Sequence, residues 1–317
     1  MRAVSAIRST GERSPRPSRR VNCPQPTRTG VLSFMSRALS LAFATAATRP
    51  RHNARVCHCR ARARFYAPPA CCTAGPGGLY KVMCGRFVIH SLPERLAEMF
   101  EVEDFPSFAP RYNLAPSQLA PVIRAGADDR REALSLGWGL VPAWADDPAI
   151  GQRMINARSE TAAVKPSFRE ALRSRRCLVP ANGFYEWLRV DEQRQPCYVQ
   201  ASDNETFAMA GLWETWGDDE QELQTFTILT TDAGDDLVDL HHRAPVILPK
   251  QHWQQWLERR PLADDQLREL CSALPPGSLH YHPVSPRMNK PANDDPGCLE
   301  AVTAVLRPAQ ASLFDDN

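Results

Sequence analysis

From residue 86 onward the chain sets short runs of β-branched and aromatic residues between Pro, Gly and Asp. This pattern predicts strands at 86–89, 120–124, 133–138, 177–180, 197–200, 207–213 and 225–230. A turn at 180–183 runs into one more aromatic-rich strand, where alternation sends Tyr185 and Trp187 to one face and Phe184 and Glu186 to the other. Helical patterns are fewer and shorter. They fall at 94–100, with Ser91 as N-cap and Glu94 at N3, and at 167–173, 235–240, 250–258 and 264–273. Strands that do not alternate regularly with helices predict an α+β fold, a single domain with a bent, mainly antiparallel, barrel-like sheet and a few flanking helices.

Residues 1–82 show no such periodicity. They hold fourteen Arg and one Lys against a single acid, Glu12, and five of the ten cysteines. Such a segment buries too little apolar surface to offset its ordering entropy and is expected to be disordered. Its Arg- and Ser-rich, acid-poor character resembles a transit peptide, while the run 31–47 has the look of a signal peptide but is split by Arg37. The favoured reading is upstream sequence, with the working protein starting at Met83. The spacings of Cys57, His58, Cys59, Cys71 and Cys72 do not follow paired metal-ligand patterns, so no metal or other cofactor is expected.

Removing that segment changes the charge balance. Residues 83–317 carry 23 basic and 35 acidic side chains, a net charge of −12, against +2 for the whole chain. A surface of that sign repels nucleic acid unless a local basic stripe interrupts it. Cys84, Cys177, Cys197, Cys271 and Cys298 are scattered, odd in number and without a CxxC, which suits a reducing compartment. Domain boundaries are expected at 83–307, with a loose tail at 308–317. No membrane span is present in the sequence.

Five stretches could carry chemistry. In Met83-Cys84-Gly85-Arg86-Phe87, loss of Met83 leaves Cys84 with an α-amine beside its thiol. A 1,2-aminothiol condenses with an aldehyde to an imine and then closes a five-membered ring. Asn156-Ala157-Arg158-Ser159-Glu160 offers an amide and a phosphate-binding guanidinium, or else a helix cap with a surface Arg. Glu186, between Tyr185 and Trp187, is either solvent-facing or a buried acid with a raised pKa suited to proton transfer. In His241-His242-Arg243, adjacent side chains diverge, so one His is free for chemistry while the other is exposed. Trp138 and Trp144 flank a Gly/Pro-rich turn, either as core or as a stacking surface for unpaired bases.

Taken in order with the 113–118 loop and the run 176–187, these motifs resemble the SOS-response-associated peptidase (SRAP) family of abasic-site processing proteins, over residues 83 to about 305. The resemblance implies a covalent thiazolidine between Cys84 and the aldehyde of an abasic site in single-stranded DNA, shielding the lesion. It implies that Asn156 positions the amine or opened sugar, that Glu186 moves the amine and imine protons, and that His241 protonates the sugar ring oxygen. Arg86, Arg158 and Arg243 would contact phosphates, with Trp138, Trp144 and Trp187 near the DNA path. The family is also described as a hydrolase, with self-removal of the initiating Met. Ala244 stands where the family usually has Met. A monomer is expected, with abasic single-stranded DNA as partner and the replication machinery as a further one. It would be cytoplasmic if translation starts at Met83 and organellar if the leader is genuine. Two other readings are a Cys/His/Glu peptidase, which needs only the thiol of Cys84, and a non-covalent reader of modified bases.

Overall fold

The structure is a computed structural model that describes residues 84–190, 193–218 and 222–304. The expectations for residues 1–82 and 308–317 lie outside the described residues. In chain order the strands are β1 (Phe87–Ile89), β2 (Arg111–Leu114), β3 (Leu119–Ala125), β4 (Arg131–Trp138), β5 (Asn156–Arg158), β6 (Arg176–Ala181) and β7 (Gly183–Val190). They continue with β8 (Gln193–Ala201), β9 (Phe207–Trp216), β10 (Leu223–Asp232), β11 (Arg243–Pro245), β12 (Ile247–Leu248) and β13 (Leu279–Pro283). The helices are α1 (Pro93–Phe100), α2 (Ser159–Ala162), α3 (Arg169–Ser174), α4 (Trp253–Leu257) and α5 (Asp264–Leu270).

Five strands close on themselves. β4 pairs with β3, β3 with β6, β6 with β9, β9 with β10, and β10 returns to β4. All but the last of these pairings are antiparallel. Closure removes two exposed edges and leaves an interior that must be filled by side chains. Ile123, Leu136, Trp138, Leu178, Leu212, Phe226 and Ile228 are all fully buried in the main core. A second sheet runs β13-β8-β7-β1-β2. The fold is therefore the mainly antiparallel α+β arrangement that the strand pattern predicts.

β6 is buried at every position, because α4 covers its outer side. Trp256 Nε1 donates to the Cys177 carbonyl at 2.9 Å. The Arg176 guanidinium, buried without a carboxylate partner among the described residues, donates to the carbonyls of Leu172 and Trp256, each at 2.6 Å. These carbonyls lie at helix ends, where partial negative charge accumulates.

Several boundaries differ from the pattern-based expectation. Ser91 does not cap α1: the N-cap is Leu92, which has no side-chain cap, and Pro93 opens the helix. The Ser91 hydroxyl instead meets Thr206 Oγ1 at 2.7 Å and accepts from Asn182 Nδ2 at 2.9 Å. Residues 235–240 form turns, not a helix. Strands β2, β5, β11, β12 and β13 were not predicted, because short or polar segments such as Asn156–Arg158 become strands only by pairing with a neighbour. Among the described residues no helix is long and apolar enough to cross a membrane.

Candidate active site around Cys84

Register builds this site. β1 pairs antiparallel with β7 through Phe87↔Phe184 and Val88↔Gly183, and the Tyr185 amide donates to the Arg86 carbonyl at 3.0 Å. Continuing that ladder backward sets residue 85 opposite residue 186, with residue 84 next to it in the chain. The Cys84 backbone nitrogen donates to Glu186 Oε2 at 3.0 Å. This nitrogen is an amide while residue 83 is attached, and it marks where an α-amine would stand in a chain starting at Cys84. Cys84 has φ of 30°, a conformation that costs an L residue roughly 1–3 kcal/mol.

Burial governs the titration of both groups. Glu186 is 5% exposed, and desolvation pushes its carboxyl up to about 8 against the pull of the Cys84 hydrogen bond and the Arg189 charge. The Cys84 thiol is pushed well above its usual range, first by burial and then by the Glu186 charge. Of the two possibilities for Glu186, the structure has the buried acid: it shares the core side of β7 with Phe184, while Tyr185 packs into a separate cluster that Trp187 borders.

Two further segments reach the pair. His241, 9% exposed, places Nε2 at 3.8 Å from Glu186 Oε1. Its Nδ1 lies 3.1 Å from both the amide nitrogen and the carbonyl oxygen of Arg243. His242 packs against it with ring centroids 4.4 Å apart and is exposed, so the two histidines do diverge in environment. Asn156 Nδ2 donates to the Cys84 carbonyl at 3.4 Å. Thus Cys84, Glu186, His241 and Asn156, which span residues 84 to 241, share one location. Among the described residues no group of three or more His, Cys, Asp or Glu side chains is arranged to hold a metal ion.

The residues expected near DNA separate into distinct environments. Arg86 sits two residues from Cys84, half-buried, with no carboxylate in ion-pair range among the described residues. Its Nη1 donates only to the Gly85 carbonyl, at 2.8 Å, and its Nε has no hydrogen-bond partner there. Burial lowers its pKa. Arg158 is exposed at the end of β5. Trp144 is 59% exposed. Trp187 is half-buried, with Nε1 donating to Asn289 Oδ1 at 2.9 Å. Two residues depart from expectation. Trp138 is core, 1% exposed, with its ring edge-on to Phe87 at 5.1 Å and Nε1 donating to the Ile155 carbonyl at 2.9 Å. A ring so enclosed offers no face to a base. Arg243 is 7% exposed, and its guanidinium is taken up by Glu160, Asp232 and the Thr230 carbonyl. A phosphate would have to displace two carboxylates to reach it.

Glu160, Asp232 and Gly183 carry no functional signal in the sequence pattern, and the structure gives each a place. The Cβ of any other residue at 183 would overlap the Tyr198 ring, whose hydroxyl donates to the Asn182 carbonyl at 3.0 Å. Ala244 is buried in β11 beside Leu237, Ile247 and Leu274.

Known proteins resemble the chain along most of this domain. The SOS response associated peptidase (SRAP) family model matches residues 83–291. The abasic site processing protein YoqW of Bacillus subtilis is 39% identical over 225 residues, covering 69% of this chain and 100% of that protein. The abasic site processing protein HMCES of Gallus gallus is 33% identical over 225 residues, covering 61% of this chain and 66% of that protein. A crystal structure of a Bacteroides thetaiotaomicron protein superimposes with a TM-score of 0.62 at 26% identity, covering 69% of this chain and all of the other. With its fold, its ordered motifs and this match across most of its length, the chain belongs to the SOS response associated peptidase (SRAP) family.

Proposed function

We propose that this protein captures abasic sites in single-stranded DNA covalently, through Cys84 as a free N-terminal residue. The relatives' shared name, abasic site processing protein, supplies the substrate class. The observation that carries the reading is the buried contact between the Cys84 nitrogen and a Glu186 carboxyl held at about 8. An α-amine titrates at about 8 in water, and the Glu186 carboxyl at hydrogen-bond distance from that nitrogen stands where it can take the proton. A Lys amine would titrate about two units higher and remain protonated at pH 7.

The chemistry then proceeds in balanced steps. The abasic sugar opens from its cyclic hemiacetal to the aldehyde: His241 delivers a proton to the ring oxygen as its bond to the anomeric carbon breaks, and the anomeric hydroxyl gives up its proton to solvent as the C=O bond forms. The neutral Cys84 amine adds to the aldehyde carbon, and the carbinolamine loses its oxygen as water to give an imine. The thiol sulfur adds to the imine carbon while its proton passes to nitrogen, through Glu186, closing the thiazolidine. Asn156 holds the Cys84 carbonyl so that the amine keeps one orientation. Arg86 and Arg158 bind phosphates, with Trp144 and Trp187 beside the strand. Removal of Met83 is a precondition. The φ of 30° at Cys84 supports this step, because a torsion that requires the preceding carbonyl carbon disappears with the bond.

A peptidase using Cys84 as a thiolate fits less well. Thiol nucleophiles are activated by a lowered pKa, and here burial and the Glu186 charge act in the opposite direction.

The test compares a chain translated from Met83 with one retaining residues 1–82, each given abasic single-stranded DNA and run on a denaturing gel. A stable adduct is expected from the first alone. Equal yield from a chain shown by intact mass to keep its extension would overturn the free-amine mechanism. Cys84→Ser should abolish the adduct and spare reversible DNA binding.

A further inference from the structure

We infer that Asn289 is a positioning residue for Trp187, holding its indole ring in one plane for a base of the bound strand to stack on. This inference rests on the reading of Trp187 as a ring beside the strand. Two sets of contacts support it. The first is made at the ring itself. Trp187 Nε1 donates to Asn289 Oδ1 at 2.9 Å, across 102 residues of chain. An indole has this single donor, and its N–H lies in the ring plane. A fixed acceptor at that edge therefore sets the plane and leaves the ring faces for stacking. Trp187 also borders the apolar cluster that contains Val284, Met288 and Cys298. The segment that supplies Asn289 thus supplies part of the bed on which the ring rests.

The second set holds the acceptor. Asn289 is exposed, and an exposed side chain orients a neighbour only if its own backbone is held. Asn289 ends a short 3-10 turn, Pro286–Asn289, in which Met288 is fully buried. Asn113, buried in β2, brings Nδ2 to 2.8 Å from the carbonyls of both Met288 and Asn293. Asp294 Oδ1 accepts from the Asn113 amide at 2.8 Å, and Oδ2 accepts from Arg111 Nε. β2 therefore grips residues on either side of Asn289. Tyr185, on the same face of β7 as Trp187, donates its hydroxyl to the Tyr112 carbonyl of β2 at 2.7 Å. Ring, acceptor and strand form one frame. A ring ordered before the strand arrives spares binding the entropy cost of ordering it. None of these contacts involves Cys84, Glu186, His241 or Asn156, so the frame acts on binding and not on the bond-forming steps.

The experiment uses the chain starting at Met83, with Asn289→Ala, Trp187→Phe, their double variant and Trp187→Ala. Asn289 is exposed, so its variant should fold. Asn289→Ala should weaken affinity for unmodified single-stranded DNA about 2- to 12-fold, the range that the net worth of one hydrogen bond allows. Its salt slope should stay parental, since no charge is removed. The rate of adduct formation at saturating abasic DNA should also stay parental. Trp187→Phe keeps a ring but lacks the N–H, so adding Asn289→Ala to it should weaken binding no further. In 15N-edited NMR the Trp187 indole N–H signal, assigned by its loss in Trp187→Phe, should shift and broaden in Asn289→Ala. A loss of affinity that persists in full in the Trp187→Phe background would mean that Asn289 touches DNA itself, and the inference is wrong. It is also wrong if Trp187→Ala weakens binding while Asn289→Ala does not. Parental affinity in Trp187→Ala would instead remove Trp187 from the DNA path, a failure of the earlier reading. The NMR comparison still decides the inference: an indole signal unmoved by Asn289→Ala would overturn it.

Discussion

Glu186 shows how much one buried carboxyl changes at this site. Its side chain loses water on folding, and the Cys84 N–H and the Arg189 charge recover only part of that loss. The sign of the linkage follows. Its folded pKa, about 8, lies above the ordinary value of 4.5. The folded state therefore binds the proton more tightly than the unfolded chain, and its stability falls as pH rises from about 4.5 to about 8. Glu186→Gln removes the titration. The stability gap between variant and parent, measured by denaturant melts with residue 83 in place, should favour the variant increasingly between those limits. A constant gap would mean that Glu186 is not buried as described. The same variant should slow adduct formation, because an amide cannot accept the amine proton. The two Trp residues make a second contrast at this scale. Trp138→Ala should cost about 3–5 kcal/mol of stability, the usual cost of emptying a core aromatic site. Trp144→Ala should leave the melting temperature unchanged and weaken single-stranded DNA binding by about 1–3 kcal/mol, the worth of a base-stacking ring.

At the scale of elements, the β1–β7 ladder decides the geometry of the site. A one-residue slip would turn Glu186 toward the Tyr185 side and leave the Cys84 nitrogen without its carboxylate. Gly183 guards that register at the start of β7, because the Tyr198 ring occupies the space where a Cβ would go. Gly183→Ala should destabilise the domain by about 1–3 kcal/mol, as overpacking does, and should slow adduct formation beyond what the stability loss explains. Calorimetry and a denaturing gel together check this, and a variant with parental stability and rate would show that Tyr198 moves aside freely. The strand nature of β7 and the placing of Phe184 and Glu186 on one face follow from alternation alone. β5 does not, because Asn-Ala-Arg has no strand signal of its own and is extended only where it lies against β10.

For the whole molecule, the charge balance sets the character of the encounter with DNA. A domain with a net charge of −12 has little long-range attraction for a polyanion, so contact depends on a few local cations. Arg86 and Arg158 have no carboxylate partner in ion-pair range among the described residues, whereas Arg243 and Arg124 do. Binding of single-stranded DNA should therefore have a shallow salt dependence, with log K falling by roughly 1.4 per decade of salt for two phosphate contacts. Arg86→Ala and Arg158→Ala should each reduce that slope by about half, measured by fluorescence anisotropy over a salt series. A steep slope, or one unaffected by either variant, would point to a different DNA path.

By itself the sequence determined the fold class, through alternating short strands with few helices, and the chemical repertoire, through an aminothiol, an acid, an amide and an imidazole in a particular order. Those are local properties, written in periodicity and residue type. Only the tertiary structure decided which aromatic rings are core and which are open, which guanidiniums are already neutralised, and whether Glu186 faces water or protein. Each of these depends on burial and on partners distant in the chain: 102 residues separate Cys84 from Glu186 and 83 separate Glu160 from Arg243. No local pattern encodes the dielectric around a carboxyl or the acid that will meet an arginine, because both are properties of the closed barrel and the sheet packed beside it.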